Sequence, residues 1–417
     1  MDILHVVHGY APAVGGSERL MQHVSENLVA RYGDRVTVYT ANGYNTEAFV
    51  DPSQPLLPTG RFELNDVTVR RFGVFNCLGK PLFHLQRLAY RLNMPGNQYL
   101  RTLYGGPIIP GLGRRIAAYD GDLVAAAAFP LLHMYQALRA CQHTKKPLVF
   151  IGALHPLDEW GYDRPMIYRA IRQADAYIAL SEYERDYLID RHSVVPERVA
   201  VIGVGINASR FEKAHGSNFR RRYDLGDRPL VGFIGPQGRK KGIDTLILAM
   251  KRVWREIPEA RLLIAGAPTH FTSHLEELMR SQLSPAQRHR VICLNGFAEE
   301  EKPELFAACD VFAYPSQYES FGIAFIEAWA ARKPVVGCDS GAVPSIVSHE
   351  VDGLLVPPGD ADALGVALSR LLGRPALRHA FGQAGRRKVL ERYTWRIVTQ
   401  RWRNVYERAI VRHRSAA

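Results

Sequence analysis

Two stretches of this chain, half its length apart, read alike. Residues 3–28, ILHVVHGYAPAVGGSERLMQHVSENL, give an apolar strand, a glycine-rich loop and a helix with Leu20, Met21, Val24 and Leu28 as its buried stripe. Residues 229–253, PLVGFIGPQGRKKGIDTLILAMKRV, repeat that order. Strand-like and helical runs alternate between and beyond them, as α/β layers around parallel sheets require. Two such openings predict two doubly wound, Rossmann-like domains, each with functional loops at the carboxyl ends of its strands and a ligand cleft between facing halves. The length, 417 residues, suits two or three domains. Apolar periodicity lapses in GINASRFEKAHGS, which sets the boundary between domains 1–207 and 208–394. A last helix signal, TWRIVTQRWRNVYERAIVRH, follows, with residues 414–417 expected as a frayed tail.

Bulk properties exclude several classes. A hydrophobic fraction of 47% with 23% charged residues describes an ordinary globular chain. The first strand begins at Ile3, which leaves no room for a signal peptide, and LVAAAAFPLL is too short to cross a bilayer. Five cysteines without a CxxC pair fit reduced thiols and a cytoplasmic setting. The net charge of +12 is uneven: residues 67–119 hold eight Lys or Arg and no Asp or Glu. Leu82, Leu85, Leu88, Ala89 and Leu92 fall there at helical spacing, with Arg87 and Arg91 among them. Two readings stay open, a peripheral contact with an anionic membrane surface and a helix packed on its own domain beneath solvated arginines. Nucleic-acid binding has only the charge in its favour, since no helix-turn-helix, zinc-finger or RNP-like pattern occurs.

The segment SQYESFGIAFIEAWAARKPVV concentrates the chemistry. Glu319 and Glu327 stand eight positions apart around a helix expected to start near Ser320 as N-cap. The first-turn N–H groups at Phe321, Gly322 and Ile323 then lack intrahelical acceptors and lie at the positive end of the helix dipole. They offer a seat for an anion, with a carboxylate on either side to accept from hydroxyl-rich groups. A nucleoside diphosphate-sugar has that form, a sugar at one end and a ribose at the other. A capped helix with one solvated glutamate is the plainer alternative.

PSxxExFGxxxxEAxAxxxPVV resembles the signature of glycosyltransferase family 4, retaining enzymes of the two-domain GT-B fold. The likeness covers nearly the whole chain and is best in residues 175–360. It implies a terminal helix, 395–417, that crosses back to the first domain. YxPxxGGxE, with Gly15 and Gly16, resembles the family's first donor-facing loop. Lys241 before Gly242 stands where the family carries its phosphate-binding lysine. Pro236 replaces the usual arginine, and Arg239 is the expected substitute, with a solvated charge run as the alternative for Arg239 and Lys240. The likeness assigns His155, in FIGALHPLDEW, to the donor sugar. Asn295, Gly296 and Phe297 match a loop lining the nucleobase pocket. Ser181 and Gly205 match further positions, although Gly203 and Val204 replace the usual Pro-Asn.

The implied activity is metal- and cofactor-independent, retaining transfer of a sugar from a UDP- or GDP-sugar to a hydroxyl of a sugar, lipid-linked or small-molecule acceptor. In it, His155, Glu319, Arg239 and Lys241 serve catalysis and Glu327 the ribose. A non-catalytic nucleotide-sugar or glycan-binding protein on the same scaffold is the competing class. Two decoys are weaker. Gly203-x-Gly205-x-x-Ala208 mimics a dinucleotide fingerprint but lacks a following apolar stripe, and Asp120-Gly-Asp122 reads as a turn rather than a metal clamp.

Overall fold

The computed structural model describes residues 1–13 and 15–416. The chain forms two compact units, Met1–Gly205 with Trp395–Ala417, and Ile206–Thr394.

The first unit is built on strands β1 (Asp2–Val7), β2 (Arg35–Ala41), β3 (Gly60–Leu64), β4 (Val67–Phe72), β5 (Leu123–Ala127), β6 (Leu148–Ile151), β7 (Ala176–Ala179) and β8 (Val199–Val201). Their order is β3-β4-β2-β1-β5-β6-β7-β8, parallel throughout except for the β3 edge, which pairs antiparallel with β4. Central strands such as β5 and β6 are buried along their whole length, because helices cover both faces. Asp122 belongs to a turn: its Oδ2 accepts the Asp2 N–H at 2.7 Å at the start of β1.

The second unit contains β9 (Leu230–Ile234), β10 (Arg261–Ala265), β11 (Val291–Leu294), β12 (Val311–Tyr314), β13 (Val335–Cys338) and β14 (Gly353–Val356). The order β11-β10-β9-β12-β13-β14 is wholly parallel. It reverses direction between β9 and β12, the topological switch point of a doubly wound sheet. Phe233, Phe306, Phe312, Phe325 and Trp329 fill its core.

The helix Trp395–Ala416 belongs to the first unit. Trp402 and Tyr406 are buried, and the Trp395 ring lies 4.8 Å from that of His23. Gly205 permits the approach, since a Cβ there would stand 2.4 Å from the Trp395 ring. Of the residues 414–417 expected as a frayed tail, Arg414, Ser415 and Ala416 belong to the helix, and Ala417 lies outside the described residues. Arg412 and His413 anchor the last turn, donating to the Asp175 carbonyl at 2.7 Å and pairing with its carboxylate at 3.0 Å. All five cysteines are free. No described helix is long and apolar enough to cross a membrane.

His5 ties this helix to β1. Its ring lies 2.7 Å from Ser25 Oγ and 3.0 Å from Tyr406 Oη. Burial pushes His5 down to about 3, and His133, also fully buried, likewise. An unfolded histidine titrates near 6.5. As pH falls below that value, the unfolded chain takes up protons that the folded unit refuses, so stability drops until the folded value is reached. Each histidine contributes about 1.4 kcal/mol per pH unit across this window. Urea titrations at pH 7, 6 and 5 are expected to show that loss, and His5→Gln to remove about one histidine's share of the slope.

Candidate active site

The loops that leave β9 and β12 meet in the second unit. Gly238 to Gly242 make a tight turn, with Arg239–Lys241 in a single 3-10 turn before the helix Ile243–Glu256. Gly242 has φ +71°, and a Cβ there would stand 2.2 Å from the Pro315 carbonyl oxygen. Only glycine fits both the left-handed backbone and that approach. The Lys240 carbonyl accepts from the Gln317 N–H and the Ser316 hydroxyl, both at 3.2 Å, which stitches the two loops together.

That stitching sets Lys241 Nζ 2.7 Å from Glu319 Oε1. Residues 78 positions apart become partners because the two strands are sheet neighbours. Glu327 is paired too: Lys302 Nζ lies 2.6 Å from its Oε1 and 3.7 Å from Glu299. Tyr314, at the end of β12, is buried between these groups. Its phenol is pushed well up by burial first, then by the charges of Glu319 and Glu327. The sequence reading left both carboxylates open to hydroxyl groups, whereas here each already holds an ammonium. A carboxylate has roughly four acceptor positions, so one lysine does not exhaust either.

The helix begins later than expected. It spans Ile323–Ala330, with Gly322 as N-cap at φ +93° and no side-chain cap bond, so Ser320 does not cap it. A residue at that φ cannot continue a right-handed helix backwards, which ends the helix there. The N–H of Phe325 donates to the Gly322 carbonyl at 3.0 Å. The amides at the helix mouth are therefore those of Ile323 and Ala324. Phe321 lies outside the helix, its side chain buried against Tyr393 with ring centroids 5.3 Å apart.

Arg239 does not join the Lys241–Glu319 pair. It is exposed, and its guanidinium lies over the Phe271 ring at 5.4 Å. Asn295 is held by Gln237, whose Nε2 donates to Asn295 Oδ1 at 3.0 Å and to the Gly266 carbonyl at 3.2 Å. Gly296, at φ +126°, has open space where a Cβ would project, and Phe297 is half-buried. Gln237 and Lys302 escaped the sequence reading. Gln237 sits in a loop with no periodicity, and Lys302 closes the run Glu299-Glu300-Glu301-Lys302, which looks like a solvated charge cluster.

The first unit carries His155, Gly15 and Gly16. Gly15 serves its own fold: a Cβ there would lie 2.3 Å from the Glu18 carboxylate, which is buried and paired with His8 at 3.0 Å. Gly16, the first residue of the helix Gly16–Tyr32, has nothing within 4 Å of its Cβ position. His155 follows β6 on a loop held from below by Glu184. That buried carboxylate accepts the N–H groups of Ala153 at 3.1 Å, Leu154 at 3.0 Å and Leu180 at 2.8 Å, and the Tyr177 hydroxyl at 2.5 Å. Burial is the largest influence on Glu184 and raises it. Ser181 caps the helix Glu182–Asp186 by accepting the Glu184 N–H, which aims this carboxylate at the loop.

Among the described residues, no group of three or more His, Cys, Asp or Glu side chains gathers where a metal would sit. Two parallel-sheet units of this order define a GT-B architecture. Sucrose-phosphate synthase from Thermosynechococcus elongatus matches with a TM-score of 0.74 and 22% identity over 99% of this chain and 100% of that one. The Anabaena protein HepE, in complex with UDP, matches with a TM-score of 0.71 and 18% identity over 98% and 100%. Residues 14–210 match the family described as Glycosyltransferase Family 4, and residues 217–388 match Glycosyl transferases group 1. The chain belongs to glycosyltransferase family 4.

Curated relatives include a D-inositol 3-phosphate glycosyltransferase of Saccharomonospora viridis, 30% identical over 60% of this chain and 59% of the relative. A GDP-mannose-dependent alpha-(1-6)-phosphatidylinositol monomannoside mannosyltransferase of Mycolicibacterium smegmatis is 34% identical over 46% and 52%. The matched regions thus span about half to three-fifths of those relatives' length.

Lys302→Met is expected to deprive the buried Glu327 carboxylate of its lysine partner. The second unit should lose about 3 kcal/mol in urea denaturation. An unchanged midpoint would mean that the pair adds nothing to the fold.

Proposed function

We propose that this chain is a retaining glycosyltransferase that moves a sugar from a UDP- or GDP-sugar to an acceptor hydroxyl, without a metal or cofactor. The observation behind this reading is the meeting of Lys241 and Glu319 at the β9/β12 switch point, beside the helix that opens at Gly322. Ligands of doubly wound sheets bind outside the carboxyl ends of the strands at such a point. A cation, free amides and two carboxylates there match the parts of a nucleoside diphosphate-sugar.

In this reading the diphosphate takes Lys241 and the amides of Ile323 and Ala324. Lys241 exchanges its partner, the Glu319 carboxylate, for phosphate oxygens. Glu319 is thereby released to accept from the donor-sugar hydroxyls, and Glu327 accepts from the ribose. Arg239, on its exposed turn, adds positive charge for the leaving group. The acceptor oxygen attacks the anomeric carbon on the face from which the diphosphate departs. The carbon–oxygen bond to phosphate breaks as the new glycosidic bond forms, and the acceptor's proton passes to the departing phosphate oxygen. Fixed positive charge at that oxygen lowers the barrier because it is in place before the charge develops. His155, on the loop fixed by Glu184, and the Gly15-Gly16 loop are assigned to the sugar end by resemblance. The nucleobase falls to Asn295, Gly296 and Phe297.

Support for the donor class comes from relatives and neighbours: one is named GDP-mannose-dependent, and another was solved with UDP. A lipid-linked or polysaccharide-precursor acceptor, met by a cytoplasmic enzyme at the inner face of a membrane, is the acceptor reading. UDP and GDP are to be added at one shared concentration, about a hundred times the dissociation constant of the tighter binder, in thermal-shift assays. The matching nucleotide is expected to stabilise the chain by about 2.7 kcal/mol. Glu327→Ala and Lys241→Ala should weaken that binding about tenfold or more, whereas Glu319→Ala should chiefly slow transfer from a working donor. A chain that binds the donor but neither transfers nor hydrolyses its sugar would be a binding protein instead.

A further inference from the structure

The helix Gly79–Arg91 turns leucines outward. Its inward face is Gln86 and Ala89, both buried, with Leu82 half-buried. Leu85, Leu88 and Leu92 are 49%, 55% and 64% exposed, and their spacing of three and four puts them on one stripe. Phe83, Leu78 and Met94 extend the apolar surface at either end. Lys80, His84, Arg87 and Arg91 are also exposed and repeat every three or four residues, one step round the helix from the leucines. The Arg87 guanidinium lies over the Phe83 ring at 5.9 Å. The helix thus packs on its own domain through Gln86 and Ala89 beneath solvated arginines, while its leucine stripe is left exposed.

We propose that this face docks on an anionic lipid surface, with Leu85, Leu88 and Leu92 entering the acyl boundary and Arg87 and Arg91 meeting the lipid phosphates. Large exposed apolar patches on soluble domains mark interaction sites, and an apolar stripe beside a basic stripe is the form of an interfacial helix. Charge selects the occupant. Residues 67–119 contain no Asp or Glu, so a second copy seated on this stripe would set Arg87 and Arg91 against their own kind. Asp51 lies close enough to Lys80 to be influenced by it, but Arg87 and Arg91 make no ion pair with any described residue. A lipid phosphate supplies the missing anions, and acyl chains supply the missing apolar contact. This deepens the lipid-linked acceptor reading above but stands on residues remote in sequence from those of the nucleotide site.

The test is sedimentation of the full chain with vesicles of phosphatidylcholine, alone or with roughly a third phosphatidylglycerol. Runs at about 50 mM and about 500 mM salt separate the electrostatic part. The parent chain is expected to bind the anionic vesicles at low salt, to bind neutral ones weakly, and to be released by salt. The triple variant Leu85→Gln/Leu88→Gln/Leu92→Gln and the double variant Arg87→Glu/Arg91→Glu should each bind about tenfold more weakly or worse. Both should keep the parent's thermal shift with UDP or GDP, so failure here is separable from failure of the donor assignment. Three results overturn the proposal. They are no binding to anionic vesicles, equal binding by parent and leucine variant, and a lipid-free oligomer that the leucine variant dissolves.

Discussion

A parallel sheet that reverses its strand order must send two neighbouring connections to opposite faces, and between them the backbone leaves a gap. In the second unit that gap opens at the ends of β9 and β12, where Lys241 and Glu319 meet. The loop after β9 brings a cation, Lys241. The loop after β12 brings a carboxylate, Glu319, and then a helix mouth at Gly322. Gly242 allows the two loops to touch. Without that close approach, Lys241 and Glu319 would be two unrelated surface charges.

Both signature carboxylates are already neutralised by lysines. Glu327 is buried, and an unpaired carboxylate there would bear the full cost of leaving water. Lys302 offsets part of that cost. The Lys241–Glu319 contact is more exposed and joins the loops that follow β9 and β12. In the proposed reading, a diphosphate competes for the lysine and, by taking it, frees the carboxylate for the sugar. In the first unit, Glu184 does comparable work by gathering three amides and a phenol beneath the His155 loop.

Much of this was legible in the linear chain, for a definite reason. Strand, glycine loop and helix recur in order because each is specified by residues a few positions apart: the apolar run of β9, the glycines of the turn, the stripe of the helix Ile243–Glu256. The Glu319/Glu327 spacing is local in the same way. Ser320 is a good cap by composition, yet the helix starts at Ile323 after the left-handed turn at Gly322, and the burial of Phe321 against Tyr393 depends on a residue far along the chain. Gly15 matched a ligand-facing motif, yet its missing side chain makes room for the Glu18 carboxylate.

The sequence by itself determined two doubly wound units, the glycine loops that open them, and the pair of glutamates about the helix mouth. Each of these follows from short-range spacing, and short-range spacing survives in a string of letters. Only the tertiary structure decided that Lys302 holds Glu327, that Gln237 holds Asn295, that Arg239 turns toward Phe271, and that the leucines of the 79–91 helix face outward. Those outcomes depend on which distant segments pack together. Helical periodicity marks an apolar stripe, but whether that stripe meets the core or solvent is settled by the elements beside it.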